Sequence, residues 1–424
     1  MEEKLVKVLR TPEVLLIGIN GVVGGGIFLL PGQVAKLAGP QSVWAYLIAG
    51  VVCILIGLAF AEASSMFSRT GGAYVYTEVA FGKAIGFTVG FMSWLTYVVG
   101  WAALSNGFAS YLVNLIPALS PDRNLLIVVA IASLCTLNTY GVRNGSFAIN
   151  VFSIAKLIPL LLLIVIGIFA HHTNTLDTIL PGTGDFAKAV LLLIFAYGGF
   201  EMATIPTGEM VNPRRTVSIA VIGTLTGVTI FYMLIQYAAL RLDPHLATAA
   251  APLDQAGAMM FGGGALIISI GAVLSILGTK SGVALAAPRS LYALAFDRSL
   301  PSFLALVHKK YHTPIISIWI TGVIVILLAV SGTFSQLILL NVAARLYVYL
   351  MVCVSVIALR FKAKERPRGF KLPFGITIPI VASILCLWLL TQEDNRSLAL
   401  AGSALVIGLF IFFINRAYDS PSKR

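Results

Sequence analysis

Apolar stretches of around twenty residues recur about a dozen times along this chain, and no other feature restricts its fold as strongly. A helix rises about 1.5 Å per residue, so roughly 20 residues cover the ~30 Å hydrocarbon layer of a bilayer. One such stretch could be a buried core helix, but a dozen cannot all be. Only 11% of the 424 residues are charged and 58% are hydrophobic, whereas soluble domains carry about 25% charge. The expected fold class is therefore all-α integral membrane, with about 12 transmembrane helices. The spans read as 12–35, 42–66, 85–116, 124–141, 147–170, 186–208, 217–240, 260–294, 314–332, 335–359, 374–391 and 398–415, and no soluble domain is left over. The third and eighth exceed a perpendicular crossing, which predicts tilt or an extension beyond the bilayer. The first is too long for a cleaved signal peptide and no A-x-A site follows it, so it is expected to be retained.

The net charge of +12 would suggest nucleic acid in a soluble protein. Here the basic residues lie in short loops, where topology accounts for them and no nucleic acid is expected. Twenty of the 29 Lys and Arg residues fall on the side that holds both termini, and only five on the other. The positive-inside rule places both termini in the cytoplasm of a multi-pass protein of the cell membrane. Cys53, Cys135, Cys353 and Cys386 all lie inside apolar stretches without a CxxC pair, and are expected to be packing residues. No HExxH, GxSxG or Walker pattern occurs, and His171 and His172 sit together in an outer loop. No catalytic residue, metal or cofactor is expected, and the chain is not read as an enzyme.

Two spans share an unusual interruption. Span one reads INGVVGGGIFLLPG, with Gly21, Gly24, Gly25 and Gly26 near its middle; span six reads LLIFAYGGFEMATIPTGE, with Gly198, Gly199, Glu201 and Pro206. Glycine weakens a helix by about 1 kcal/mol relative to alanine. One cluster alone is equally consistent with close helix packing through small residues. The pair says more, because spans five apart enter from opposite faces, and interrupted segments at corresponding positions of two inverted halves point to a transporter site.

Unpaired backbone at membrane depth survives only beside protein or a water-filled cavity. The outer half of span one would begin near Gly26 and Ile27, offering free N–H groups to a carboxylate at Val22, Gly24, Gly25, Gly26 and Ile27. The outer half of span six would end near Phe195, Ala196 and Tyr197, leaving carbonyls for an ammonium group. Donors facing acceptors suit a zwitterionic amino acid. Phe195, Tyr197 and Phe200 could close over its side chain, ordinary packing being the alternative. Glu201, after Gly198, would bind a cation, carry a proton or cap the inner half-helix.

GGGIFLLPG, FAYGGFE…GEMVNPRR and APRSLYALAFDRSLP together resemble the amino acid–polyamine–organocation superfamily of bacterial-type transporters, over nearly the whole chain. The first motif resembles that family's G-S-G carboxylate loop, with Gly25 where many members carry Ser or Thr. The resemblance implies the leucine-transporter fold: a 5+5 inverted repeat with broken helices one and six (repeats at about 12–170 and 186–359), then two further helices (374–415). It also implies alternating access and an amino acid substrate, with polyamines or amines as the alternative; a channel or sensor is the rival from another class. Eukaryotic exchangers of the superfamily attach an accessory chain through a cysteine in the loop after span three. The loop Ile116 to Asn124 has none, so no disulfide-linked partner is expected.

Ionisable residues inside spans are functional candidates. Arg289 can snorkel to the interface, Glu62 and Glu209 are expected to pair with basic loops, and Lys280 and Arg345 have no partner legible in sequence. Lys156 lies thirteen residues, roughly 20 Å, beyond Arg143, which is too far to reach the surface and demands a polar interior. Sodium-independent members of the superfamily place a lysine of span five where sodium-coupled ones hold a cation between spans one and eight, and Lys156 resembles it. Its expected partners are carbonyls near Ile19 to Val22 and hydroxyls such as Ser281, with a purely structural tether as the alternative. Sodium-independent transport follows, by proton symport or by exchange.

Overall fold

The computed structural model describes residues 10–67, 72–140, 156–169, 182, 184–204, 210–249 and 251–419. Arg143, His171, His172, Pro206 and Glu209 lie outside the described residues. Sixteen α-helices follow in chain order among the described residues. The first half comprises α1 (Thr11–Val22), α2 (Gly26–Leu29), α3 (Pro31–Ala38), α4 (Ser42–Ser65), α5 (Ala73–Phe81), α6 (Lys83–Leu115), α7 (Arg123–Tyr140) and α8 (Leu157–Phe169). The second half comprises α9 (Phe186–Tyr197), α10 (Pro213–Leu242), α11 (Pro252–Ala258), α12 (Gly264–Phe296), α13 (Ile315–Ser331), α14 (Phe334–Lys362), α15 (Thr377–Thr391) and α16 (Asn395–Asp419). No strand is found among the described residues.

Eight helical segments among the described residues are long and apolar enough to cross a membrane, and four shorter apolar helices (α8, α9, α13 and α15) bring the spans to the twelve expected. Helix starts carry ordinary signals. Thr333 and Gln336 form a reciprocal capping box at α14. Asp185 caps α9 by accepting from the Lys188 N–H at 3.0 Å.

Three features escape a hydropathy reading. Spans one and six are each discontinuous, α1 giving way to α2 and α3, and α9 to a 3-10 turn at Phe200–Thr204. The short helices α5 and α11 lie between spans, too short to announce themselves. A single glycine, Gly82 at φ 90°, turns the chain from α5 into α6.

Spans that a five-plus-five repeat would relate pack on one another. The start of span one touches the end of span six, α4 packs on α10, α6 on α12, and α7 on α13. Helices α15 and α16 lie outside this set, against α14, α4 and α6. All four cysteines are buried and free. At one rim, Glu62, fully buried, holds the end of α4 to the last turn of α14 and the segment after it: Arg360 donates to it through Nε at 2.8 Å and Nη2 at 2.5 Å, and the Leu372 N–H at 2.8 Å. The expected pairing of Glu62 with a basic loop is therefore seen.

Candidate functional site

The two helix breaks meet. Helix α1 ends at Val22, whose neighbour Val23 still donates to the Ile19 carbonyl at 2.8 Å. Gly24 and Gly25 lie between the two helices, and Gly25, already at helical angles, caps a new helix that starts at Gly26. Leu30 keeps helical angles and donates to Gly26, so the run continues from α2 into α3. Among the described residues the N–H groups of Gly25, Gly26 and Ile27 have no backbone acceptor outside the helices, as a helix start requires.

Each glycine sits where a side chain has no room. A Cβ on Gly25 would lie 2.6 Å from Leu104 and 2.9 Å from Ile276, one on Gly24 would lie 2.8 Å from the Thr279 hydroxyl, and one on Gly26 would lie 3.0 Å from the Ala196 backbone. Close packing and helix breaking are thus served by the same residues. At span six, Gly199 takes φ 115°, a left-handed value suited to glycine. Its carbonyl would lie 2.8 Å from a Cβ on Gly21, so the two broken spans touch backbone to backbone.

Carbonyls at and beside the breaks are met by hydroxyls and an amide from neighbouring helices. Tyr232 of α10 bridges both spans, its hydroxyl lying 2.9 Å from the Val22 carbonyl and 3.4 Å from that of Ala196. Tyr111 of α6 donates to Phe28 at 2.7 Å, and Gln236 donates to Pro31 at 3.3 Å. Such partners are what lets broken backbone persist away from water. No local signal in the sequence marks these residues for the task.

Around the breaks lies a cavity of about 340 Å³. Of the residues expected at the site, Val22, Gly24, Gly25, Gly26, Phe195, Ala196, Gly198, Glu201 and Lys156 line it. Ile27, Tyr197, Phe200 and Ser281 do not. Ile27 is buried in the core. Tyr197 donates its hydroxyl to the Tyr46 carbonyl at 2.8 Å and packs on Tyr232. Phe200 is held between the rings of Phe60 and Tyr349. Ser281 is exposed and bonds back to Leu277 at 2.8 Å, on a different face of α12 from the cavity-lining Ser275, Thr279 and Gly282.

Lys156, at the start of α8, reaches the end of α1. Its Nζ donates to the Asn20 carbonyl at 3.1 Å and to Asn20 Oδ1 at 2.5 Å. Asn20 also lines the cavity. Lys280 faces elsewhere: it is fully buried, with Nζ 4.4 Å from the Phe108 ring centroid and no hydrogen-bond partner among the described residues.

Glu201 caps the span-six break by accepting from the Gly199 N–H at 2.9 Å. It also pairs with Arg345 of α14 at 3.1 Å and accepts from the Tyr349 hydroxyl at 3.2 Å. Arg345, unpartnered in the sequence reading, leans on Gly198 and is braced by Asn341 at 3.4 Å.

A second cavity, about 660 Å³, extends to the α5 side of the molecule past Tyr74, Arg289 and Asp297. Thr96, Tyr97, Glu201 and Arg345 line both cavities and so form the partition between them. On the opposite side α11 packs across α2, α3 and α12. Its Asp254 is fastened by Asn114 at 2.5 Å and by the Ser269 hydroxyl. The cavity at the breaks therefore adjoins the second cavity on the α5 side.

Comparison with known proteins bears on this architecture. A family model described as amino acid permease matches residues 9–415. The serine/threonine exchanger SteT of Bacillus subtilis (strain 168) is 28% identical over 93% of this chain and 93% of its own. The methylthioribose transporter of that organism is 26% identical over 97% and 94%. Its branched-chain amino acid permease BcaP is 27% identical over 97% and 94%.

Proposed function

The chain belongs to the amino acid permease family, and we propose that it is a sodium-independent transporter of zwitterionic, uncharged amino acids working by alternating access. The observation that carries this reading is the meeting of two helix breaks around one cavity. The substrate carboxylate would be received by the N–H groups at Gly25 and Gly26, which line the cavity at the start of the second half-helix. Its ammonium group would meet the carbonyls at the end of α9, near Phe195 and Ala196. Rearrangement of spans one and six against α6 and α12 would then expose the site to either side in turn.

The polyamine alternative is disfavoured by Arg345. A site for a multiply charged cation needs uncompensated negative charge, and here the Glu201 carboxylate is matched by a guanidinium at 3.1 Å. The names of two relatives, a serine/threonine exchanger and a branched-chain permease, agree with small uncharged side chains.

Sodium independence is supported by the ammonium of Lys156, which occupies carbonyl and amide oxygens of Asn20 that a cation would otherwise need. Proton symport and exchange are both compatible with it. The repeats are assigned to residues 12–170 and 186–359. The α5 side is assigned to the cytoplasm together with both termini, from the distribution of basic residues; cysteines placed in 360–372 should accordingly be labelled only from inside.

Reconstitution tests the proposal. Proteoliposomes should accumulate serine, threonine or a branched-chain amino acid equally well with sodium or choline outside, and putrescine and methylthioribose should compete poorly. A requirement for a sodium gradient, or preferred uptake of putrescine, would refute it. Flux driven by counter-substrate without a pH gradient would assign exchange.

A further inference from the structure

The last turn of α14 and the segment joining it to α15 carry Arg360, Lys362, Lys364, Arg366, Arg368 and Lys371 against one acid, Glu365. Several of these charges are engaged inward. Arg360 and Arg368 close on the buried Glu62, and Lys362 donates to the Ala80 carbonyl at 2.9 Å. The Arg366 guanidinium lies over Phe67, 4.8 Å from the ring centroid. Lys364 and Lys371 are exposed and have no carboxylate partner among the described residues.

Two aromatic rings project from the same segment, Phe361 at 64% exposure and Phe374 at 85%. Phe374 sits between Pro373 and Gly375 with φ 58°, a left-handed backbone that a bulky side chain rarely adopts. Strain that holds an apolar ring away from the protein is unfavourable in water and needs another environment to explain it. The base of the segment is meanwhile fixed, since Leu372 is buried and its N–H is bonded to Glu62. A rigid loop thus presents ring and ammonium together, at the junction of two spanning helices.

We propose that residues 361–376 form a docking site for anionic phospholipid headgroups. Lys364 and Lys371 meet the phosphates, while Phe361 and Phe374 enter the boundary between headgroups and acyl chains. Lysine supplies the charge complementarity, and aromatic rings settle at that depth. Through Glu62, lipid held here is fastened to the end of α4, which packs on α9 and α10 beside the cavity.

The test uses the full chain in nanodiscs of phosphatidylcholine with graded phosphatidylglycerol, with retained lipid read by native mass spectrometry. Phosphatidylglycerol should be retained over phosphatidylcholine. Lys364→Gln with Lys371→Gln should raise the half-saturating fraction on the order of tenfold. Phe374→Gly, which removes the ring and relieves the left-handed strain, should weaken retention without lowering the melting temperature. Lys309→Gln with Lys310→Gln removes equal charge from another exposed loop and should leave retention unchanged. No preference for phosphatidylglycerol, or equal loss in the Lys309/Lys310 control, would overturn the site. So would displacement by inorganic phosphate at constant ionic strength, which would mark a site for free phosphate. The readout is lipid retention, so failure here leaves the amino acid reading standing.

Discussion

Arg345 and Glu201, 144 positions apart in the chain, meet at 3.1 Å on the wall common to the two cavities. Both side chains are largely withdrawn from solvent, so each is the main counter-charge of the other. The pair thus faces both cavities at once.

Removing one partner from a buried ion pair costs about 3–5 kcal/mol, because the other charge is stranded. Arg345→Gln should therefore lower the melting temperature and abolish uptake. Adding Glu201→Gln to it should restore stability but not transport. Thermal unfolding of the two single variants and the double closes the cycle. Additive losses would mean that the pair is not a unit.

Lys156 can be separated into tether and charge. Gln at 156 can still donate to Asn20 but carries no charge, so a tether alone predicts normal uptake in Lys156→Gln. The coupling role predicts strong impairment in both Lys156→Gln and Lys156→Ala, with sodium dispensable throughout. Initial uptake rates in sodium and choline media decide between them.

Gly25→Leu should eliminate substrate binding while the protein still inserts, since even a Cβ there would lie 2.6 Å from Leu104. Gly402, with open space around it, is the matched control, and Gly402→Leu should bind normally. Gly39 would be a poor control because its φ of 55° is itself constrained. Ligand-induced thermal shift on monodisperse protein measures both variants, and wild-type affinity in Gly25→Leu would move the carboxylate site elsewhere.

Glu393, between α15 and α16, is pushed up to about 8 by burial and by the neighbouring Asp394. The folded chain favours the protonated form, so the stability it contributes is complete below about pH 4.5 and is lost as the pH rises through 8. Melting temperatures measured from pH 5 to 9 should fall for the wild type relative to Glu393→Gln. A constant difference across that range would show that Glu393 does not titrate there.

The spans were legible because hydrophobic length is a local property, and ten of the twelve lie within a few residues of their expected limits, the start of span five and the end of span six falling outside the described residues. The glycine runs likewise marked the breaks. What escaped was relational. Tyr232 and Tyr111 look like ordinary aromatic residues until a freed carbonyl comes within reach. Arg345 stood out as a charge in a span, but its partner lies on another helix. Ser281 offers a hydroxyl at the right depth in the sequence, and only the rotation of α12 shows that Ser275 and Thr279 face the cavity. Helices α5 and α11 lacked the length to register.

The backbone contact between Gly21 and Gly199 also bears on how the chain is made. Roughly 180 residues separate the two, and at about 5–20 residues per second they take on the order of 10–40 s to synthesise. Throughout that interval span one has been made and span six has not, so the opened turn at Gly24 and Gly25 lacks half of its shelter from lipid. A nascent chain truncated before residue 186 should accordingly remain crosslinkable to the insertion machinery through span one, and be released once α9 and Tyr232 have followed.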